Sequence, residues 1–243
     1  MTGKSIGPPP RMETLMKIGI IGSGNMGRAI GVRLARLGHD VMFGARRPEQ
    51  SQQASNTAAH GTIGGNTDEA ARFGDILVWT IRTPDPSAVF ADAEVIDGKI
   101  VIDLNNRDYA NDVKGKAWFD AAIAEQLQAA APKARIVKAL NTIAMETFDT
   151  SAELLRSAGA QTFLAGDDPS AKSDVGDLML DLGFEPVDLG AGVAAMRAAE
   201  ALGDVIRLLM IDGGYGGRAH LSLTRLPDPD LATIGERQAS SYH

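Results

Sequence analysis

Gly22-Ser23-Gly24-Asn25-Met26-Gly27 sets three glycines at the G-x-G-x-x-G spacing, and each has a mechanical use if the loop receives a phosphate. Gly22 permits a tight turn, Gly24 lets a pyrophosphate approach the backbone, and Gly27 lets a helix pack closely on a sheet. The pattern alone is a weak signal, and its surroundings strengthen it. Lys17-Ile18-Gly19-Ile20-Ile21 reads as a strand ending in the loop, and Asn25 to Leu37 as a helix with apolar residues at Met26, Ile30, Leu34 and Leu37. A helix opening there aims its free N–H groups at the loop. The chemistry implied is dinucleotide binding.

Loops selective for NAD carry an Asp or Glu ~20 residues further on, where it accepts from the ribose 2′-OH. This chain reads Gly44-Ala45-Arg46-Arg47 instead. Two guanidinium groups stand where the 2′-phosphate of NADP would lie, and their planar fork suits a phosphate. NADP is the expected nucleotide.

Other chemistries lack their residues. A Tyr four positions before a Lys would let the ammonium activate the phenol, but Tyr109 and Tyr215 precede Val113 and Ala219, and Tyr242 nearly ends the chain. The absence of cysteine, with only four scattered histidines, removes thiolate zinc sites, iron–sulfur clusters, cysteine nucleophiles and disulfides. His39 at a strand entrance, His60 in a loop, and His220 and His243 near the end read as structural or solvated. No Ser-His-Asp or paired-carboxylate arrangement has support, so neither a catalytic acid–base residue nor a metal is expected. Hydride transfer between two bound cofactors needs neither, because holding two rings face to face supplies most of the effect.

The elements that must position these residues follow from periodicity. Apolar runs at 76–81, 100–102, 135–137 and 162–164 alternate with helical patterns around 48–58, 67–73, 117–129 and 170–182. Strands alternating with helices imply an α/β protein with a Rossmann-type, doubly wound, mostly parallel sheet. Residues 193–212 form one long helical pattern, a candidate for a small helical domain or a dimer interface, ended by Gly213-Gly214-Tyr215-Gly216-Gly217. The organisation expected is a disordered tail over 1–16 containing Pro8-Pro9-Pro10, an NADP-binding domain over 17–190, and a C-terminal helical region with an extended tail over 191–243. The proportions of hydrophobic (44%) and charged (23%) residues are those of a soluble globular chain. A formal charge of -7 without a basic stripe argues against a nucleic-acid partner. No run reaches the ~20 apolar residues that span a bilayer, so a cytoplasmic protein without membrane association is expected.

Four blocks together carry a family resemblance: residues 18–27, Gly44-Ala45-Arg46-Arg47, Val137-Lys138-Ala139-Leu140-Asn141-Thr142-Ile143, and Leu164-Ala165-Gly166-Asp167-Asp168 followed by residues 183–190. From Met16 to about residue 212 the chain resembles the NADPH-dependent F420 reductases, or F420-dependent NADP oxidoreductases, whose domain recurs in the cytoplasmic part of the STEAP metalloreductases. The resemblance implies that NADP phosphates lie on Gly22, Ser23, Gly24, Asn25, Met26 and Gly27, with the 2′-phosphate near Ala45, Arg46 and Arg47. It places the nicotinamide ribose against Ile81-Arg82-Thr83. Asn141, Thr142, Ile143 and Ala144 would then wall the nicotinamide and face a deazaflavin or flavin ring, with Asn105 in Asp103-Leu104-Asn105-Asn106 at the same sheet edge. F420 or a flavin is the second substrate implied. The long helical pattern over 193–212 makes a homodimer through the C-terminal helical region the expected assembly.

The chain departs from the family pattern at Ala45 and Gln50, where members often carry Ser and Lys, and at Arg82 and Thr83, which make the acceptor pocket more polar. The glycine block would also suit pyrroline-5-carboxylate reductase, but the late Gly-Gly-Thr-Thr signature is missing. A β-hydroxyacid dehydrogenase would need a helix-borne lysine, and none follows Lys172. A non-catalytic NADP-binding sensor is the remaining alternative.

Overall fold

In the computed structural model, which describes residues 15–58, 61–115 and 119–227, strand β1 (Lys17–Ile21) is buried along its whole length after Lys17. A run of isoleucines with no polar alternation suits a strand covered on both faces. The glycine loop leads into helix α1 (Asn25–Arg36), which buries Gly27, Ile30, Gly31, Leu34 and Ala35 as one stripe. Gly38, at φ +96°, turns the chain into β2 (Asp40–Gly44), parallel to β1.

Helix α2 (Pro48–Ala58), β3 (Ile63–Gly65), α3 (Thr67–Phe73), β4 (Ile76–Trp79), β5 (Ile100–Asp103), α4 (Ile123–Ala130) and β6 (Arg135–Lys138) complete the main unit. Its six strands run in the order β3-β2-β1-β4-β5-β6 with every pairing parallel. This is the Rossmann-type, doubly wound fold. Strand order reverses between β1 and β4, and there a crevice opens at the carboxyl ends of the strands. Alternate strand residues feed the two covering layers: Ile18, Ile20, Val78 and Ile102 pack on one face, and Ile21, Leu77, Trp79 and Val101 on the other. Burying each such side chain stabilises the fold by about 1.5–3 kcal/mol.

Helix α5 (Ala152–Ser157), β7 (Gln161–Leu164), α6 (Pro169–Leu182), β8 (Glu185–Asp188) and α7 (Gly192–Ile211) follow. Strands β7 and β8 pair in parallel as a separate two-stranded sheet, and an antiparallel bridge from Lys138 to Ala165 joins it to the edge of β6. Asp168 caps α6 by accepting from the Ala171 N–H at 2.9 Å, and Gly183 ends it at φ +101°. Helix α7 buries Met196, Ala199, Glu200, Gly203, Asp204 and Ile206 while Val205, Leu208 and Ile211 stay exposed.

Two boundaries and one strand differ notably from the sequence reading. The strand expected over 76–81 ends at Trp79, because Thr80 turns to bond the glycine loop. The helix expected from 117 begins at Ile123, and residues 116–118 lie outside the described residues. Strand β3 has almost no apolar signal, since its Gly64 must be small: a Cβ there would lie 2.6 Å from the Gln52 backbone of α2. Of the expected tails, residues 1–14 and 228–243 lie outside the described residues, as do His60 and His243. Among the described residues no helix is long and apolar enough to cross a membrane.

Candidate functional site

The glycine loop is built by close backbone approach. Gly22 adopts φ +109° and donates its N–H to the Gly44 carbonyl at 3.0 Å, tying the turn to the end of β2. A Cβ on Gly27 would lie 1.9 Å from the Gly22 carbonyl oxygen, so α1 rests directly on the turn. Gly24 has nothing within 4 Å of where a Cβ would be, which leaves the loop open on its outer side. Its neighbour Ser23 is buried and donates to the Gly44 carbonyl at 3.1 Å. Helix α1 begins at Gly24 without a side-chain cap and has no acid in its first turn. Its unpaired N–H groups and the positive end of its dipole therefore face that opening uncompensated.

Sequence reasoning missed the latch on this loop. The Thr80 hydroxyl lies 2.8 Å from the Gly22 carbonyl and 3.0 Å from that of Ile21, to either of which it donates. The Trp79 indole N–H donates to the Thr83 carbonyl at 3.0 Å, so the 80–83 loop is pinned at both ends. A threonine at a strand end carries no sequence signal of such a role.

A cleft of about 780 Å³ joins the loop to the end of β2. Gly22, Ser23 and Gly24 form one wall, Ala45, Arg46, Arg47 and Gln50 the next, and Ile81, Arg82 and Thr83 the opposite side. Thr67, Ala88 and Val89, unremarked in the sequence, close its floor. Arg46 and Arg47 are exposed, and the cleft has no carboxylate in its lining. An anionic, elongated ligand fits this lining: backbone donors at one point and two guanidinium groups at another.

Asn105, Asn141, Thr142, Ile143 and Ala144 do not line that cleft. Asn105 is buried and donates its amide to the Trp79 carbonyl and to Asp103, both at 2.9 Å. The Asn141 amide donates to the Ala199 carbonyl at 2.7 Å and to Asn106 at 3.1 Å. Thr142 and Ile143 are buried, and Ala144 is half-buried. These residues gather beside the cleft, at the carboxyl ends of β5 and β6. Asn25 and Met26 lie at the opening of α1, Asn25 exposed and Met26 half-buried.

Beneath them sits an ion cluster. Lys138, fully buried at the end of β6, donates to Asp103 at 2.9 Å, Glu200 at 2.8 Å and the Asn105 carbonyl at 2.6 Å. All three ammonium protons are thereby used. Burial works against the charge, but the two carboxylates outweigh it and hold the Lys138 ammonium above the usual lysine range. The signal that could have found the cluster is Glu200, an acid on the apolar stripe of α7.

Residues 17–107 match the family model described as NADP oxidoreductase, coenzyme F420-dependent. The matched stretch takes in the glycine loop, Arg46, Arg47 and the ends of β4 and β5. Over 186 residues the chain is 27% identical to the metalloreductase STEAP3 of Rattus norvegicus, a match covering 76% of this chain and 36% of that protein. It spans about a third of the length of the curated relatives it matches. A solved structure of a protein assigned as an F420-dependent NADP-reductase, from Arthrobacter sp. FB24, gives a TM-score of 0.73 at 27% identity, covering 86% of this chain and 100% of that one. An imine reductase from Myxococcus stipitatus solved with NADP+ shares the fold, with a TM-score of 0.58 at 18% identity over 82% of this chain and 62% of its own.

Proposed function

We propose that the cleft binds NADPH and that the chain transfers hydride directly to a second ring system, coenzyme F420 or a flavin, held against the nicotinamide. The observation that carries the reading is the single cleft joining an uncapped helix N-terminus at Gly24 to Arg46 and Arg47, with no acid at the end of β2. Backbone N–H groups of the loop and of α1 bind the pyrophosphate. Arg46 and Arg47 clamp the 2′-phosphate through charge-assisted hydrogen bonds, and Ala45, which is buried, lets the phosphate come close. Ile81, Arg82 and Thr83 form the far wall, and the second half of the nucleotide runs past it across the ends of β4, β5 and β6, as strand order dictates for this fold.

When bound, NADPH supplies the hydride, so the protein's part is orientation and exclusion of water. Asn105, Asn141, Thr142, Ile143 and Ala144 form the wall behind the nicotinamide. A homodimer through the exposed outer face of α7 accompanies the reading; light scattering on the purified chain tests it, and a monomer overturns it. The function is tested by mixing purified protein with NADPH and either F420 or FMN and following nicotinamide absorbance. Turnover with one of them supports the assignment, and no turnover with either overturns the choice of acceptor.

A further inference from the structure

The geometry points to Glu200 and Lys138 as positioning residues that hold the nicotinamide wall in a strained, preorganised shape. The inference rests on the NADP reading above and concerns only the half of the site that accepts the ring.

Leu140 has φ +59°, the left-handed region, and is the sole non-glycine with positive φ among the described residues. For a bulky side chain that conformation is strained, and it persists only where the surroundings dictate it. They do so here from two sides. The Leu140 N–H donates to the Thr162 hydroxyl at 3.0 Å, and two residues earlier Lys138 is locked into its cluster. The strain reverses the chain directly before Asn141, Thr142 and Ile143. Two buried atoms of that segment, Asn141 Oδ1 and Thr142 Oγ1, have no hydrogen-bond partner. A segment kept strained and incompletely bonded is held for a purpose other than stability.

Glu200 is the link that spans the site. One of its carboxylate oxygens accepts from Lys138 of β6, and the other accepts from the Arg107 N–H at 2.9 Å in the loop after β5. It comes from α7, almost a hundred residues along the chain from Arg107. The same helix receives the Asn141 amide on the Ala199 carbonyl. It also presents Gly203, where a Cβ would lie 2.0 Å from Asn106 Oδ1. Both strand-end loops are therefore set by α7 through one carboxylate. Rigid support of this kind is what keeps a hydride donor within the short range and narrow angle that transfer requires.

The test compares affinity for NADPH with affinity for 2′-phospho-ADP-ribose, which retains the phosphates and lacks the nicotinamide. Lys138, Asp103 and Glu200 together carry a formal charge of minus one, so Glu200→Gln leaves a neutral buried pair and the variant is expected to fold. It should bind NADPH about tenfold more weakly while holding the analogue within about twofold, and the fluorescence of bound NADPH should move toward that of the free nucleotide. Arg197→Ala, which removes the ion pair of α7 with Glu125, should leave the ratio of the two affinities unchanged. If Glu200→Gln does not fold, Gly203→Ala takes its place, with the same shift in ratio expected. Equal weakening of both ligands, or of neither, overturns the proposal. Failure of the wild type to bind the analogue overturns the NADP reading itself, and this proposal with it.

Discussion

Replacing Lys138 by Met removes the one cation from a site that contains two carboxylates. Lys138 and Asp103 have no exposed side-chain surface, and Glu200 has about a hundredth of its own. The methylene stem is matched in length by methionine, so little packing is lost and the change is chiefly electrostatic. Removing one partner from a buried ion pair costs about 3–5 kcal/mol, because the remaining charge is left uncompensated. Here two like charges remain, and one carboxyl must take up a proton for the site to be tolerated. Against a total stability of roughly 5–15 kcal/mol, the loss is a large fraction. Urea unfolding followed by circular dichroism should show the deficit at pH 7. The deficit should shrink as the pH falls toward 5, since the carboxyl with the raised folded-state pKa then gains its proton at lower cost. A loss below about 1 kcal/mol, or a deficit independent of pH, would mean that the two carboxylates do not depend on Lys138 for compensation.

Three further outcomes follow from the same geometry. Thr80→Val keeps the shape but removes the hydrogen bond to the Gly22 carbonyl, worth about 0.5–1.5 kcal/mol, so NADPH should bind several-fold more weakly by titration; unchanged affinity would mean that Thr80 does not order the loop. Gly27→Ala forces a Cβ to within 1.9 Å of the Gly22 oxygen, and the purified variant should lose NADPH binding while its circular dichroism spectrum keeps helix and strand content. In the wild type, the Lys138 pKa is raised on folding. Its contribution is fully present below the unfolded value of about 10.4 and is lost as pH rises through the folded value. The melting temperature should therefore fall on the alkaline side of pH 10, and fall less steeply in Lys138→Met.

The parts legible in the sequence are those governed by local pattern. Isoleucines in β1, the glycine spacing and the stripe of α1 agree on one βαβ unit, and Gly22, Ser23 and Gly24 line one cleft with Ala45, Arg46, Arg47, Ile81, Arg82 and Thr83. The parts that were not legible depend on distant contacts. Strand β3 is held by pairing with β2 and by space under α2, neither of which leaves an apolar trace at Gly64 and Gly65. Thr80 gains its role only when β4 lies beside β1. The Lys138 cluster draws on three elements, and although Glu200 stands out on the apolar stripe of α7, nothing in the sequence pairs it with Asp103 and Lys138. Asn105 donates to the Trp79 carbonyl at the end of β4 and Asn141 to the Ala199 carbonyl of α7, ties between distant segments that no local spacing announces.

If Arg46 and Arg47 read a 2′-phosphate, calorimetric titration of the purified chain with NADPH and with NADH will show it. One charge-assisted phosphate contact corresponds to about tenfold in affinity or more. NADPH should therefore bind at least about tenfold more tightly than NADH, and Arg46→Ala/Arg47→Ala should erase the difference by weakening NADPH alone. Equal affinity of the wild type for the two nucleotides, or tighter binding of NADH, would mean that Arg46 and Arg47 do not select NADP.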